Sequence, residues 1–281
     1  TAPVLKNNGD GTFSGKVDYG TGSIPSSVFA IDLDGDGHRD LAIANASGNT
    51  VSILKNKGDG TFATKNDYST GFNPSALFAS DIDFDADLDL TVVNSGSHTV
   101  SIYRNNGDGT FGPPRDFGTG IGPLSVYTLD LDSDGDPDLA VANSGSNTVS
   151  VFKNNGIGAF TTRVDYRTGN YPSSVFLINM DLDSDNDMLV ANGNDSIVSF
   201  FRNGGRGDFV RDSDIKVGKN VRSVFAADVD GDGLPNVIAA SWGDDKIVVF
   251  LNTGKNEYPS GDKPISIYAS DLDGDKDFDI A

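Results

Sequence analysis

The chain has 281 residues, with 41 acidic against 21 basic side chains and a formal charge of −20 at neutral pH. That balance excludes the clustered Lys and Arg surface on which nucleic-acid binding depends, and the absence of Cys excludes disulfides, thiolate metal sites and cysteine catalysis. No apolar stretch reaches the roughly 18 residues of a membrane-spanning helix, and no signal peptide is read, Thr1 fitting a mature or trimmed terminus. A hydrophobic fraction of 37% with 34 Gly suits many short strands joined by tight turns.

In chain order, the segment from Ile24 to Asp67 predicts one complete unit. Val28-Phe29-Ala30-Ile31 is a short apolar run leading into an Asp-rich loop. Leu41-Ala42-Ile43-Ala44 follows the loop, then the turn cluster Asn45 to Asn49, then a third run, Val51-Ser52-Ile53-Leu54. Lys57-Gly58-Asp59-Gly60 is a second tight turn, and Phe62 to Tyr68 a fourth run. Each run is of strand length, rich in β-branched or aromatic residues and bounded by Gly, Asn, Asp and Ser, and no helical period intervenes. The unit is therefore a four-stranded antiparallel meander.

The Asp loops start at Asp32, Asp81, Asp130, Asn179 and Asp228, at 49-residue intervals, and a sixth follows 43 residues later at Asp271. Four-stranded units at this period predict the blades of a β-propeller, all-β, spanning 1–281 as one domain. Six blades are the simplest count; a seventh would need about one further repeat. Thr1 to Phe13 align with Thr50 to Phe62, and Ile280-Ala281 with Leu139-Ala140. The last repeat is thus split between the C-terminus and residues 1–19, and the two ends are expected to share one blade and close the ring. Counterparts of Val141 through Asn147 are lacking. Tyr258 and Tyr268 lie closer together than the equivalent Phe209 and Phe225, so the fourth strand around Pro259-Ser260-Gly261 is expected to be short or lost.

The loops carry metal-ligand chemistry. In the first, Asp32, Asp34, Asp36 and Asp40 occupy positions 1, 3, 5 and 9. Alternating carboxylates in a tight turn converge, and Ca²⁺ takes 6–8 hard oxygen ligands. The backbone carbonyl at position 7, from His38 here and Leu234 in the fifth loop, is a further candidate ligand. The other candidates are Asp81, Asp83, Asp85, Asp87 and Asp89; Asp130, Asp132, Asp134, Asp136 and Asp138; Asn179, Asp181, Asp183, Asp185 and Asp187; Asp228, Asp230, Asp232 and Asn236; and Asp271, Asp273, Asp275, Asp277 and Asp279. Up to six Ca²⁺ ions follow, one per repeat, with weaker binding where Asn179 and Asn236 replace Asp. Glu257 is the only glutamate, so the short carboxylate is demanded by loop geometry. An EF-hand is excluded, because position 12 is Ile43, Val92, Val141, Val190 or Ala239 in a strand-like run and not a bidentate Glu.

With these loops the chain resembles the FG-GAP (VCBS-like) calcium-binding repeat family, the repeat of the integrin alpha-chain propeller, some fungal lectins and many bacterial surface proteins. Phe117-Gly118-Thr119-Gly120 and Tyr19 to Pro25 approximate the FG-GAP wording. The resemblance implies that each loop joins the first two strands of a blade and holds Ca²⁺, and that the role is extracellular adhesion or ligand binding. Loop sites of 10⁻⁴–10⁻³ M affinity, typical of extracellular modules, fill only where calcium is plentiful.

Three function classes are carried forward. A non-enzymatic binding module for a glycan or protein ligand leads, with a lectin-like or polysaccharide-processing protein beside it. A structural subunit of a surface layer or filament, self-assembling through its ends, is the third. An enzyme has little support: His38 and His98 read as exposed loop residues, no nucleophile motif is present, and the acidic residues are committed to the loops. Trp242, where other repeats carry Ser, Ala or Gly, is a candidate ligand contact. Tyr19, Tyr68, Phe117 and Tyr166 recur on fourth strands and read as packing residues. Asn45 and Asn194 open glycosylation sequons.

Overall fold

The computed structural model describes residues 1–9, 12–251, 254–271 and 278–281. It is all-β, built from five four-stranded antiparallel sheets, each ordered as in sequence, and two two-stranded sheets at the ends. Blade 1 comprises Pro25–Ile31, Asp40–Asn45, Thr50–Leu54 and Asn66–Ser69; blade 2 Pro74–Ser80, Asp89–Asn94, Thr99–Tyr103 and Arg115–Gly118. Blade 3 comprises Pro123–Leu129, Asp138–Asn143, Thr148–Lys153 and Thr162–Arg167; blade 4 Pro172–Ile178, Asp187–Asn192, Ile197–Asn203 and Phe209–Lys216. Blade 5 is Val221–Ala227, Asn236–Ser241, Lys246–Leu251 and Gly254–Pro259. Ala2–Val4 pairs with Val17–Tyr19, and Ala269–Ser270 with Asp279–Ile280. These end sheets hold the third and fourth, and the first and second, strand positions of a sixth blade, the strand content of a six-bladed β-propeller.

Thr1–Val126 and Tyr127–Ala281 each form a compact unit, the division falling within the first strand of blade 3. In the first unit, Ala42, Ala44, Val51 and Ile53 of blade 1 pack against Leu77, Ala79, Leu90 and Val92 of blade 2. In the second, Ala140, Ala142, Val149 and Val151 meet Val175, Leu177, Met188 and Val190, and blade 4 meets blade 5 in the same way. The second strands of blades 2 to 5 are buried along their whole length. Burial on both faces explains why they read as continuous apolar runs without alternation. Fourth strands are polar because they are largely exposed.

The recurrent fourth-strand aromatics are packing residues, as expected. Tyr68 lies edge-on to Phe111 of the next blade's turn, ring centroids 5.5 Å apart, and its hydroxyl accepts the Phe111 amide. Tyr166 and Phe209 repeat the contact at the same distance.

Two expectations change. The fourth strand of blade 5 is present, pairing with its neighbour from Lys246↔Pro259 to Leu251↔Gly254. Tyr258 faces Ile247 just as Tyr166 faces Val149. The missing residues are therefore those of the Gly-rich turn between third and fourth strands, and Tyr258 aligns with Tyr166, not with the turn Phe. Asn45 is fully buried, its amide donating to Ser52 Oγ at 2.9 Å, which closes that sequon to glycosylation in the folded chain. Asn194 is exposed.

Each first strand of blades 1, 2, 4 and 5 has a bulge at its second residue: Ser26, Ser75, Ser173 and Arg222. A bulge leaves one residue outside the ladder and re-aims its side chain. The three serines use this to bond the next blade, to Pro74 O at 2.7 Å, Pro123 O at 2.9 Å and Val221 O at 2.8 Å. Arg222 points elsewhere.

Candidate metal centres on the Asp loops

Each loop joins the first and second strands of its blade, and antiparallel order puts the third-to-fourth turn at the same end. Loop positions 4 and 6 have positive φ in all five described loops: Gly35 and Gly37, Phe84 and Ala86, Ser133 and Gly135, Leu182 and Ser184, Gly231 and Gly233. Two left-handed steps separated by one residue coil the chain tightly enough to converge side chains at positions 1, 3 and 5. Glycine takes this conformation freely, whereas an L side chain costs about 1 kcal/mol or more. Ala86→Gly is thus expected to leave blade 2 intact and stabilise the chain by up to about 1 kcal/mol in thermal or urea melts; destabilisation would contradict the assigned backbone.

The carboxylates divide the work. Position 1 caps the loop backbone: Asp32 accepts Gly35 N at 2.9 Å and Gly37 N at 2.8 Å, and Asp130 and Asp228 repeat both bonds. Among the described residues Asn179 accepts only the Leu182 amide. Position 5 accepts the amide two residues on, as Asp36 does from His38 at 2.8 Å. Position 7 side chains turn away from the loop centre, which leaves their carbonyls as the candidate donors. Asp87 and Asp136 lie against the blade's own turn so closely that a Cβ on Gly107 or Gly156 would stand 2.7 or 2.8 Å from a carboxylate oxygen.

Position 3 shows how well the loops fit a cation. Asp34, Asp83 and Asp132 each pair one oxygen with a basic residue at the end of the third strand: Lys55 at 3.3 Å, Arg104 at 3.0 Å and Lys153 at 3.6 Å. The other oxygen of each is buried and has no hydrogen-bond partner among the described residues. Leaving a buried acceptor unsatisfied costs about 1–3 kcal/mol, more when charged. Burial first, then neighbouring Asp134, pushes the Asp132 carboxyl above its ordinary range. Carboxylate oxygens converge to within 4.8 Å in four loops: Asp32, Asp34 and Asp36; Asp81, Asp83 and Asp85; Asp130, Asp132 and Asp138; Asp228, Asp230 and Asp232. An all-oxygen set with orphaned buried acceptors fits a hard cation such as Ca²⁺.

Position 9 is a staple. Asp138, fully buried, accepts Leu131 N at 3.0 Å and Asn154 N at 2.7 Å, tying the loop to the end of the third strand. Asp40, Asp89 and Asp187 do the same. Burial outweighs these bonds and pushes Asp89 up to about 6 and Asp138 to about 7. In blade 5 Asn236 takes the role, accepting Val229 N at 2.8 Å, its one such bond among the described residues.

The fourth loop forms no such cluster among the described residues. Asn179 removes a carboxylate, and both Asp181 oxygens are engaged, one by Arg202 and the other by the Asp183 amide. The fifth loop, expected to be weak, does converge. In the sixth, Asp273, Asp275 and Asp277 lie outside the described residues. His38 and His98 are exposed. Trp242 is half-buried in the turn between second and third strands, at the opposite end of its blade.

Sequence reasoning missed the third-strand partners. Asn105 Nδ2 donates to Leu33 O of the previous blade at 2.8 Å, and Asn203 Nδ2 to Leu131 O at 2.8 Å. Lys55 and Lys153 also donate to carbonyls of the next blade's turn, Asp108 O and Arg206 O. The signal was available: Asn56, Asn105, Asn154 and Asn203 recur at the loop interval, each preceded by Lys or Arg.

Blades of this construction, each with an acidic loop between its first two strands, define a propeller of metal-binding-type repeats. The FG-GAP-like repeat pattern matches residues 2–43, 32–92, 81–141, 130–190, 179–239 and 228–281, and the chain belongs to that repeat family. No curated protein matches the sequence. Among solved structures, the fold is similar to BBS1N in its complex with ARL6DN (TM-score 0.65, 16% identity, 92% of this chain and 74% of that one). It is also similar to virginiamycin B lyase from Staphylococcus aureus (TM-score 0.63, 13% identity, 87% and 74%). A third is an Agrocybe aegerita lectin that recognises non-reducing terminal N-acetylglucosamine (TM-score 0.57, 22% identity, 92% and 73%). These likenesses show the fold alone. No helix long and apolar enough to cross a membrane occurs among the described residues.

Proposed function

We propose that the chain is an extracellular, non-enzymatic binding module, an adhesion or ligand-binding propeller whose loops hold Ca²⁺. The observation that carries the reading is the orphaned buried oxygen at position 3 in three successive loops. A protein does not bury unpartnered carboxylate oxygens beside two other carboxylates at a stability cost unless a cation completes them. When bound, Ca²⁺ neutralises the converging charge and joins the loop backbone to its side chains. Asp32, Asp34 and Asp36, and their counterparts, supply the oxygens. Lys55, Arg104 and Lys153 orient the position-3 carboxylate by holding its other oxygen. With sites of loop-type affinity, filling requires the calcium of an extracellular setting.

The reading of a non-enzyme rests on the commitment of the acidic groups to loop capping, stapling and metal. Calorimetric titration of the decalcified chain with calcium is expected to give at least four sites, one for each of the first, second, third and fifth loops, any binding at the fourth loop being weaker than these. Calcium-dependent retention on immobilised glycans or proteins, without turnover of polysaccharides, completes the test. Zero stoichiometry, or hydrolysis of a polymer by the purified chain, would sink it.

A further inference from the structure

In a repeat array every unit makes the same neighbour contacts, so positions that serve stability alone keep one kind of residue. Departures that meet in space therefore mark a specialised spot. Two such departures lie on blade 5, at the end opposite the Asp loops, and meet two residues from a variable position of the connections on either side of it. Arg222 stands at the bulge where Ser26, Ser75 and Ser173 bond the next blade. Trp242, the single Trp of the chain, stands where Ala46, Ser95, Ser144 and Gly193 occupy the turn. Tyr171 and Lys263 hold one and the same position in their repeats, the left-handed residue before a first strand, which varies along the array and is Ile24, Asn73, Gly122 and Asn220 in the other repeats.

Their side chains form one cluster within the second unit. The Arg222 guanidinium lies over both the Tyr171 and the Trp242 rings, 5.6 Å from each centroid. The Lys263 ammonium lies over Trp242 at 5.1 Å. Among the described residues neither cation has an ion-pair partner, in a chain with 41 acidic side chains. The neighbouring carboxylates serve backbone amides instead: Asp245 accepts Lys263 N at 2.8 Å and Asp244 accepts Lys219 N at 2.8 Å. The turn's own amides are also engaged, Trp242 N by Asn220 O and Gly243 N by Lys219 O.

We propose that Tyr171, Arg222, Trp242 and Lys263 bind an anionic saccharide, a sugar bearing a carboxylate or a sulfate; this rests on the reading of the chain as a binding module. Two cations held on aromatic rings with no carboxylate of their own are placed for an anionic group. Half-buried aromatic rings suit the apolar face of a sugar. An extended acidic peptide would gain its affinity from free backbone donors and acceptors along a strand edge. Here the nearby amides are already engaged, so recognition falls to side chains, which favours the sugar.

The single Trp makes its fluorescence a direct reading of the site. The full chain in millimolar calcium is titrated with oligogalacturonate, a heparin oligosaccharide, a neutral cello-oligosaccharide and polyglutamate. A saturable change in emission with one or both anionic sugars is expected, and none with the neutral sugar. The stronger of the two responses identifies carboxylate or sulfate as the recognised anion. Arg222→Ser and Lys263→Asn restore residues found at these positions in other blades, so the fold is retained. Each should weaken binding about tenfold or more while leaving the calcium-dependent melting shift unchanged. Binding indifferent to both variants, a polyglutamate response equal to or stronger than that of the sugars, or no response while calcium still raises the melting temperature would overturn the proposal alone. Absence of any calcium effect on melting would overturn the module reading beneath it.

Discussion

Chelation with EDTA lowers the melting temperature of the chain by about 12–24 °C, and returning calcium restores it. At millimolar calcium, a site of roughly 10⁻⁴ M affinity is mostly filled and contributes about 1.4 kcal/mol by mass action, provided the unfolded chain does not bind. Four converging loops together contribute about 6 kcal/mol, and for a chain of this size each kcal/mol moves the midpoint about 2–4 °C. The unfolded chain has no reason to bring Asp130, Asp132 and Asp138 together, because their convergence depends on the left-handed steps at Ser133 and Gly135 and on the staple to Asn154. Differential scanning fluorimetry with and without EDTA reads the shift. An unchanged midpoint would remove the metal from the account of this fold.

Asp138→Ala destabilises the calcium-loaded chain by about 3–5 kcal/mol, and Asp138→Asn by about half as much. Alanine leaves the buried amides of Leu131 and Asn154 without acceptors, at about 1–3 kcal/mol each, and removes an oxygen from the third cluster. Asparagine keeps one acceptor, as blade 5 already does through Asn236. Urea unfolding midpoints separate the two variants; equal, small effects would deny the staple its role. The same residue sets a pH dependence. Its folded pKa of about 7 lies above the ordinary carboxylate value of 3.8, so the folded state holds the proton more tightly. In the metal-free chain this contribution to stability is full below about pH 4 and is lost as the pH rises through about 7. In EDTA the melting temperature should therefore fall between pH 5 and pH 8, with Asp89 adding to the same trend through its pKa of about 6. Asp138→Asn should flatten that part of the profile, and an unaltered slope would show that the group does not titrate there.

Much of the loop was legible because its chemistry is local. Asp at alternating positions, with Gly35 and Gly37 between, states both the convergence and the backbone that permits it. Phe84 and Ala86 adopt the same left-handed conformation without glycine, which no propensity argument would assign. The division of labour was not legible. Asp34 and Asp40 are alike in sequence, yet Asp34 keeps an orphaned oxygen while Asp40 spends both on amides. That difference depends on where the third-strand end lies, and it is set only when the meander closes.

The end of blade 5 teaches the reverse lesson. Reading Tyr258 as a turn aromatic cost the blade its fourth strand, because the spacing alone does not say which part of the repeat was deleted. Pairing decided it: a short hairpin preserves the ladder hydrogen bonds, and deleting the Gly-rich turn spends none of them.

By itself the sequence determined the period, the strand grammar, the acidic loops and the family, since each is written in consecutive residues and repeated. The tertiary structure decided which carboxylates converge, which are staples and which lie beside a cation. It also brought Tyr171, Arg222, Trp242 and Lys263 to one place. Those residues come from separate strands and connections, and only the side-by-side packing of blades turns distant positions in the chain into neighbours.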